Sequence, residues 1–185
     1  MRLFTGIGIP YKVRRNLELL LAHLAPSAPG IRWSPAENLH ITTKFIGEWP
    51  EERLPELKDA LKSLPVPAAF PISIGNLGWF PNPHSPRIFW CGIQAPPALA
   101  ELARLTEESL VPLGLPRENR PYSPHLTLAR IQSPAGLLPL KQAVAQLPSV
   151  DFGRFTPDRF HLYLSKTGPQ GSAYTILDNY PLVTE

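Results

Sequence analysis

The sequence predicts an α+β fold of two pseudo-symmetric lobes, with antiparallel sheets lining a central cleft and helices on the outside. Three observations predict it. Apolar stripes at helical spacing alternate with short runs of β-branched and aromatic residues. The order of these elements occurs twice along the chain. At the same place in each repeat stands a strand carrying His-x-Thr: His40-Ile41-Thr42 and His125-Leu126-Thr127.

Residues 2–9 alternate weakly and stop at Pro10, which reads as a strand. Val13, Leu17, Leu20, Leu21 and Leu24 form one helical stripe, with Arg14, Arg15 and Glu18 outside it. Pro26 and Pro29-Gly30 end that helix. Ile31-Arg32-Trp33 is a short extended piece before Ser34-Pro35 and the His40 strand. A second helix covers 51–64, with Leu54, Leu57, Leu61 and Leu64 in register; Glu51 and Glu52 at its start suit the helix dipole. Residues 70–80 and 87–94 form a strand pair joined by the proline-rich loop 81–86. Leu99, Leu102, Ala103, Thr106 and Leu110 mark a third helix, followed by the His125 strand. Leu137, Leu140, Val144 and Leu147 mark a fourth. Strands are expected at 152–155, 159–165 and 173–182. Residues 12–94 and 98–182 thus repeat one order of elements, which points to internal duplication within a single bilobal domain, 1–185. A cleft between two such halves is a favoured ligand site.

The chain has 185 residues, of which 43% are hydrophobic, so it can bury a core. Its 24 prolines fall mostly between periodic segments and read as turns. The net charge of +3 suits an anionic ligand, but no Lys/Arg run is dense enough for a nucleic-acid tail. The single cysteine, Cys91, lies in a strand-like run and excludes an internal disulfide. No leader pattern or membrane-length apolar run is present, so a cytoplasmic monomer without membrane association is expected.

In a strand, residues two apart share a face. His40 therefore lies beside Thr42, and His125 beside Thr127, at roughly 6.5 Å spacing. Ile41, Phe45, Leu126 and Leu128 are expected on the opposite, core-facing sides. Two such strands brought together place two imidazoles and two hydroxyls around one point. One imidazole can act as base and the other as acid near neutral pH, which suits displacement at phosphorus. The hydroxyls can hold non-bridging phosphate oxygens where charge gathers. Neither motif has a carboxylate two or four residues away on its own face, so a zinc site is not expected. A G-x-S-x-G elbow, a P-loop and a dinucleotide-binding glycine pattern are all absent.

The stretches Asn38-Leu39-His40-Ile41-Thr42-Thr43-Lys44-Phe45-Ile46-Gly47-Glu48 and Pro124-His125-Leu126-Thr127-Leu128-Ala129-Arg130 resemble the two signatures of the two-histidine phosphoesterase superfamily. Within it they most resemble the RNA 2′,3′-cyclic phosphodiesterases, also called 2′-5′ RNA ligases. Arg32-Trp33-Ser34-Pro35, Pro86-Arg87-Ile88-Phe89-Trp90 and Leu162-Tyr163-Leu164-Ser165 add weaker matches, with Leu164 where relatives commonly carry arginine. The resemblance implies metal-independent, cofactor-free hydrolysis of a terminal 2′,3′-cyclic phosphate to a 2′-phosphate, with 2′-5′ ligation as the reverse reaction. Substrates would be RNA ends, tRNA fragments among them, or nucleoside 2′,3′-cyclic phosphates. His40 would be the acid and His125 the base; Thr42, Thr127 and Arg130 would bind the substrate. Two other readings stand beside this one: a nucleotide-binding module, and a phosphodiesterase for a small cyclic phosphate such as ADP-ribose 1″,2″-cyclic phosphate.

Several neighbours carry alternatives. Strict alternation puts Arg130 on the Leu126 face, from which it reaches the cleft only if the strand ends or bulges. Lys44 is expected on the His40 face, either raising the potential there or solvated. Phe4, Trp33, Phe45 and Phe80 are base-stacking candidates or core residues. His23, His84 and His161 lack a matching Thr and are expected to be structural or at the surface.

Overall fold

In the computed structural model, which describes residues 1–183, nine strands form two antiparallel sheets. The first sheet contains β1 (Arg2–Gly8), β3 (His40–Glu48), β8 (Arg159–Gly168) and β9 (Gly171–Pro181), in the order β3-β1-β8-β9. The second contains β2 (Ile31–Trp33), β4 (Ile72–Phe80), β5 (Ile88–Gln94), β6 (His125–Ile131) and β7 (Asp151–Phe155), in the order β2-β6-β5-β4-β7. Each sheet therefore takes strands from both halves of the sequence.

Four helices cover the sheets: α1 (Tyr11–Leu24), α2 (Leu54–Lys62), α3 (Pro97–Leu110) and α4 (Leu137–Ala145). The stripes of α1 and α3 are those read from the sequence, while Leu64 and Leu147, expected in the second and fourth stripes, lie past the ends of α2 and α4. Val13, Leu17, Leu20, Leu21 and Leu24 of α1 are all buried, as are Leu99, Leu102, Ala103, Thr106 and Leu110 of α3. The second helix is shorter than expected, because Glu51–Arg53 form a 3-10 turn and the α-helix starts with Pro55 in its first turn. Proline lacks the N–H that a later position would donate, so it belongs there. The helices cross between lobes: α1 follows β1 yet packs on β7 and α4, while α3 follows β5 yet packs on β3 and α2.

The core faces of the two sheets carry Leu3, Ile7, Ile41, Phe160 and Leu162 on one side and Ile72, Ile74, Phe89, Leu126 and Leu128 on the other, all fully buried or nearly so. Cys91 lies among them, and burial pushes its thiol up to about 12, so it behaves as a small hydrophobe. Among the described residues, no helix is long and apolar enough to cross a membrane.

Candidate active site

The two His-x-Thr strands occupy matching places. β3 pairs with β1 so that His40 faces Gly8 and Thr42 faces Gly6. β6 pairs with β5 so that His125 faces Gly92 and Thr127 faces Trp90. Directly opposed residues in a sheet share a face. Each motif thus looks out over a β1 or β5 neighbour onto the side away from the core.

The two histidines are anchored alike. His40 Nδ1 lies 2.7 Å from the carbonyl of Asn38, and His125 Nδ1 lies 3.1 Å from the carbonyl of Ser123, each two residues upstream. A carbonyl only accepts, so each Nδ1 carries the proton and each Nε2 is left for other partners. His40 Nε2 is 2.9 Å from Thr42 Oγ1 and accepts from it when the ring is neutral.

The strands are also clasped to one another. Ser34, in the approach to the first motif, donates its hydroxyl to the backbone carbonyl of Thr127 at 2.9 Å, and its N–H to that of Leu128. Tyr122, in the approach to the second motif, donates its phenol to the backbone carbonyl of Thr42 at 2.7 Å. Each motif's threonine is therefore held by the chain leading into the other motif. With His40 six positions after Ser34 and His125 three positions after Tyr122, the two motifs are confined to one neighbourhood, and β3 and β6 approach within 8 Å between Cα atoms.

The surroundings of the two imidazoles differ. His40 sits in an aromatic box, with ring centroids 4.6 Å from Phe4, 5.7 Å from Tyr163 and 5.1 Å from Tyr174. This apolar burial lowers its pKa below the usual 6.5, against the opposing effect of the Asn38 carbonyl. His125 is exposed. Beyond Gly6, His161 lies on the same face and packs edge-on against Tyr163, with centroids 5.5 Å apart. Burial lowers the His161 pKa too, with the nearby Arg159 adding to the shift.

Bulges overturn two of the sequence expectations and meet the condition set for a third. Between Thr5/Lys44 and Gly6/Thr42 the β1–β3 register slips by one residue. Lys44 consequently turns to the face opposite His40, where it is 6% exposed and bonded to Glu107 Oε1 at 3.0 Å. Phe45 turns the other way: it pairs with Phe4 on the cleft face and is 49% exposed under the Arg2 guanidinium. An equivalent slip lies between Phe89/Ala129 and Trp90/Thr127. Arg130 then pairs with Ile88, which shares the Trp90 and Thr127 face, so the arginine returns to the cleft. Phe45 and Arg130 are thus matching positions in the two lobes.

Of the stacking candidates, Phe4 and Phe80 face the cleft side. Trp33 does not: it pairs with Ala129 on the core side and meets Phe89 edge-on. The sequence reading passed over Trp90, whose ring lies across Gly78 so closely that a Cβ there would fall 2.1 Å from it. It also passed over Tyr163, Tyr174 and the two clasps. A signal for the clasps was present: Trp33-Ser34-Pro35 and Tyr122-Ser123-Pro124 put an aromatic-Ser-Pro step ahead of each motif. Among the described residues, no three His, Cys, Asp or Glu side chains come together as metal ligands would.

A family model described as LigT like Phosphoesterase matches residues 7–90 and 93–174. The chain belongs to the LigT-like phosphoesterases. Among members of this family, an RNA 2′,3′-cyclic phosphodiesterase of Methanocaldococcus jannaschii is 33% identical, over 97% of this chain and all of its own. One from Thermus thermophilus is 34% identical, over 98% of this chain and 90% of its own. A crystal structure from Thermus thermophilus superposes with a TM-score of 0.83 at 30% identity, covering both chains completely. Among LigT-like structures, Escherichia coli LigT complexed with 3′-AMP matches with a TM-score of 0.78 at 28% identity, over 98% and 97% of the two chains.

Proposed function

We propose that this chain hydrolyses the terminal 2′,3′-cyclic phosphate of RNA to a 2′-phosphate, using His40 and His125 as its acid–base pair. The observation that carries the reading is the twin anchoring of the two imidazoles, each with Nδ1 on a carbonyl, on strands clasped together at their threonines. The names borne by relatives at 33% and 34% identity support the substrate class.

In the step proposed, neutral His125 takes a proton from water as the water oxygen bonds to phosphorus. The bond from phosphorus to O3′ breaks, its electron pair goes to O3′, and protonated His40 supplies the proton there. The two rings end with exchanged protonation states, which solvent resets. Thr42 and Thr127 donate hydroxyl hydrogen bonds to the non-bridging oxygens, which gather charge in the transition state. Arg130 supplies positive charge to the substrate from the same face. His40 is neutral-biased by burial, so the acid role rests on the phosphate itself: an anion arriving beside the ring stabilises the imidazolium form. Two imidazoles supply both proton transfers, so the reaction needs no metal or cofactor. A cytoplasmic monomer acting on RNA ends accompanies this reading.

The test is product analysis on an RNA with a 2′,3′-cyclic phosphate end in excess EDTA. A 2′-phosphate at undiminished rate is expected, with His40→Ala and His125→Ala each slower by roughly 10²–10⁴-fold. Near-wild-type turnover by either variant would overturn the pair. A 3′-phosphate product would overturn the leaving-group assignment. Tight binding without turnover would make the chain a nucleotide-holding module.

A further inference from the structure

We propose that Arg32 and Arg130 form a second anion subsite, which takes the internucleotide phosphate of an RNA strand whose cyclic-phosphate end lies at the histidines. The inference rests on the function proposed above and names what that site adds to it.

The cleft side of the second sheet is laid out in rows. The first is His125 with Gly92, and the second is Thr127 with Trp90 and Gly78. The third runs across four strands: Arg32 pairs with Arg130, Arg130 with Ile88, and Ile88 with Phe80. Neighbouring strands lie about 4.8 Å apart, so the two guanidinium stems start side by side. Both arginines are exposed, and among the described residues neither has a hydrogen-bond or ion-pair partner. The chain's other arginines include several with obvious carboxylates: Arg53 with Glu56, Arg104 with Glu101, Arg117 with Glu108 and Arg159 with Asp158. Two adjacent cations left unneutralised on a cleft face repel each other, and an anion between them removes that repulsion.

The position decides which anion. His125 and Arg130 are five positions apart with one bulge, so their backbones lie roughly 13 Å apart along the strand. Arg32 stands one strand further out, on the sheet edge, and is therefore placed for a phosphate further along the RNA strand than the one the histidine must touch. The rest of the row, Ile88 and the 55% exposed Phe80, is apolar and suits a base next to that phosphate. The first sheet has no matching pair of arginines. Its equivalent row is Phe45, Phe4 and Tyr163, where the Arg2 guanidinium lies over the Phe45 ring. Two arginines paired across neighbouring strands occur on the second sheet's side, so the strand's backbone should lie on the Arg32 side.

The test compares kcat/KM for a trinucleotide ending in a 2′,3′-cyclic phosphate with that for a nucleoside 2′,3′-cyclic phosphate. The wild-type protein should prefer the trinucleotide. Arg32→Ala should lower the trinucleotide-to-mononucleotide ratio on the order of tenfold, and should lessen the salt dependence of trinucleotide turnover by about one phosphate contact. Arg32→Lys should keep much of the preference. Loss of folding lowers both rates together and leaves the ratio unchanged, so the ratio reads the subsite. An unchanged ratio in folded Arg32→Ala, or a wild-type protein that turns over both substrates equally well, would overturn the subsite while leaving the proposed function standing. Failure to hydrolyse either substrate would overturn both.

Discussion

His40 shows how one side chain's surroundings set its chemistry. Its ring is enclosed by Phe4, Tyr163 and Tyr174, and the cost of charging it there lowers its pKa. NMR titration of the ligand-free protein should place His40 below 6.5. Tyr174→Ala opens one side of the box to water and should move the midpoint upward. If His40 is the acid, kcat/KM falls as pH rises through that lowered pKa, so the same variant should extend activity to higher pH. Thr43 shows a second local effect. Its hydroxyl shares a 2.7 Å hydrogen bond with that of Thr5, and both residues are buried. Thr43→Val strands the Thr5 hydroxyl and should cost about 1–3 kcal/mol in urea denaturation. Adding Thr5→Val should recover part of it, because a buried pair replaced by apolar groups leaves nothing unsatisfied. The motif residues were legible in the sequence because His-x-Thr needs only strand periodicity to set its facing. Lys44 and Phe45 were not, and Arg130 was only conditionally, since each lies past a bulge created by register with another strand. β1 is some forty positions from β3 along the chain, and β5 a similar distance from β6. Local alternation carries no record of that slip.

At the scale of elements, helical stripes and strand runs were read correctly where one period persisted for three turns or five residues. The α1 and α3 stripes are buried residue for residue as their spacing requires. The start of α2 was misjudged because a 3-10 turn and an α-turn carry nearly the same apolar pattern. What the sequence could not convey was which sheet each element joins. β8 and β9 close the sheet begun by β1 and β3, and α1 crosses to pack on β7. The clasps depend on that interleaving. Tyr122→Phe removes the hydrogen bond to the Thr42 carbonyl and should lower stability by about 1 kcal/mol. It should also reduce kcat/KM for the cyclic phosphate, since the first motif loses one of its supports; a variant less stable yet fully active would show that Tyr122 is structural only.

For the molecule as a whole, two imidazoles, those of His40 and His161, are harder to protonate folded than unfolded. The unfolded chain then binds protons first as pH falls, so stability is held above 6.5 and declines between that value and the lowered folded pKa values. Urea midpoints measured from about pH 8 down to about pH 5 should decrease, and His161→Gln should flatten part of the decline. The reciprocal hold of Ser34 on Thr127 and Tyr122 on Thr42 has one more result. Neither half of the candidate site can loosen while the other stays in place, so a partly melted but active enzyme has no structural basis. On heating, turnover and the near-ultraviolet signature of packed tryptophans should vanish at one temperature, with no interval in which a warmed molecule keeps its shape after losing its catalysis.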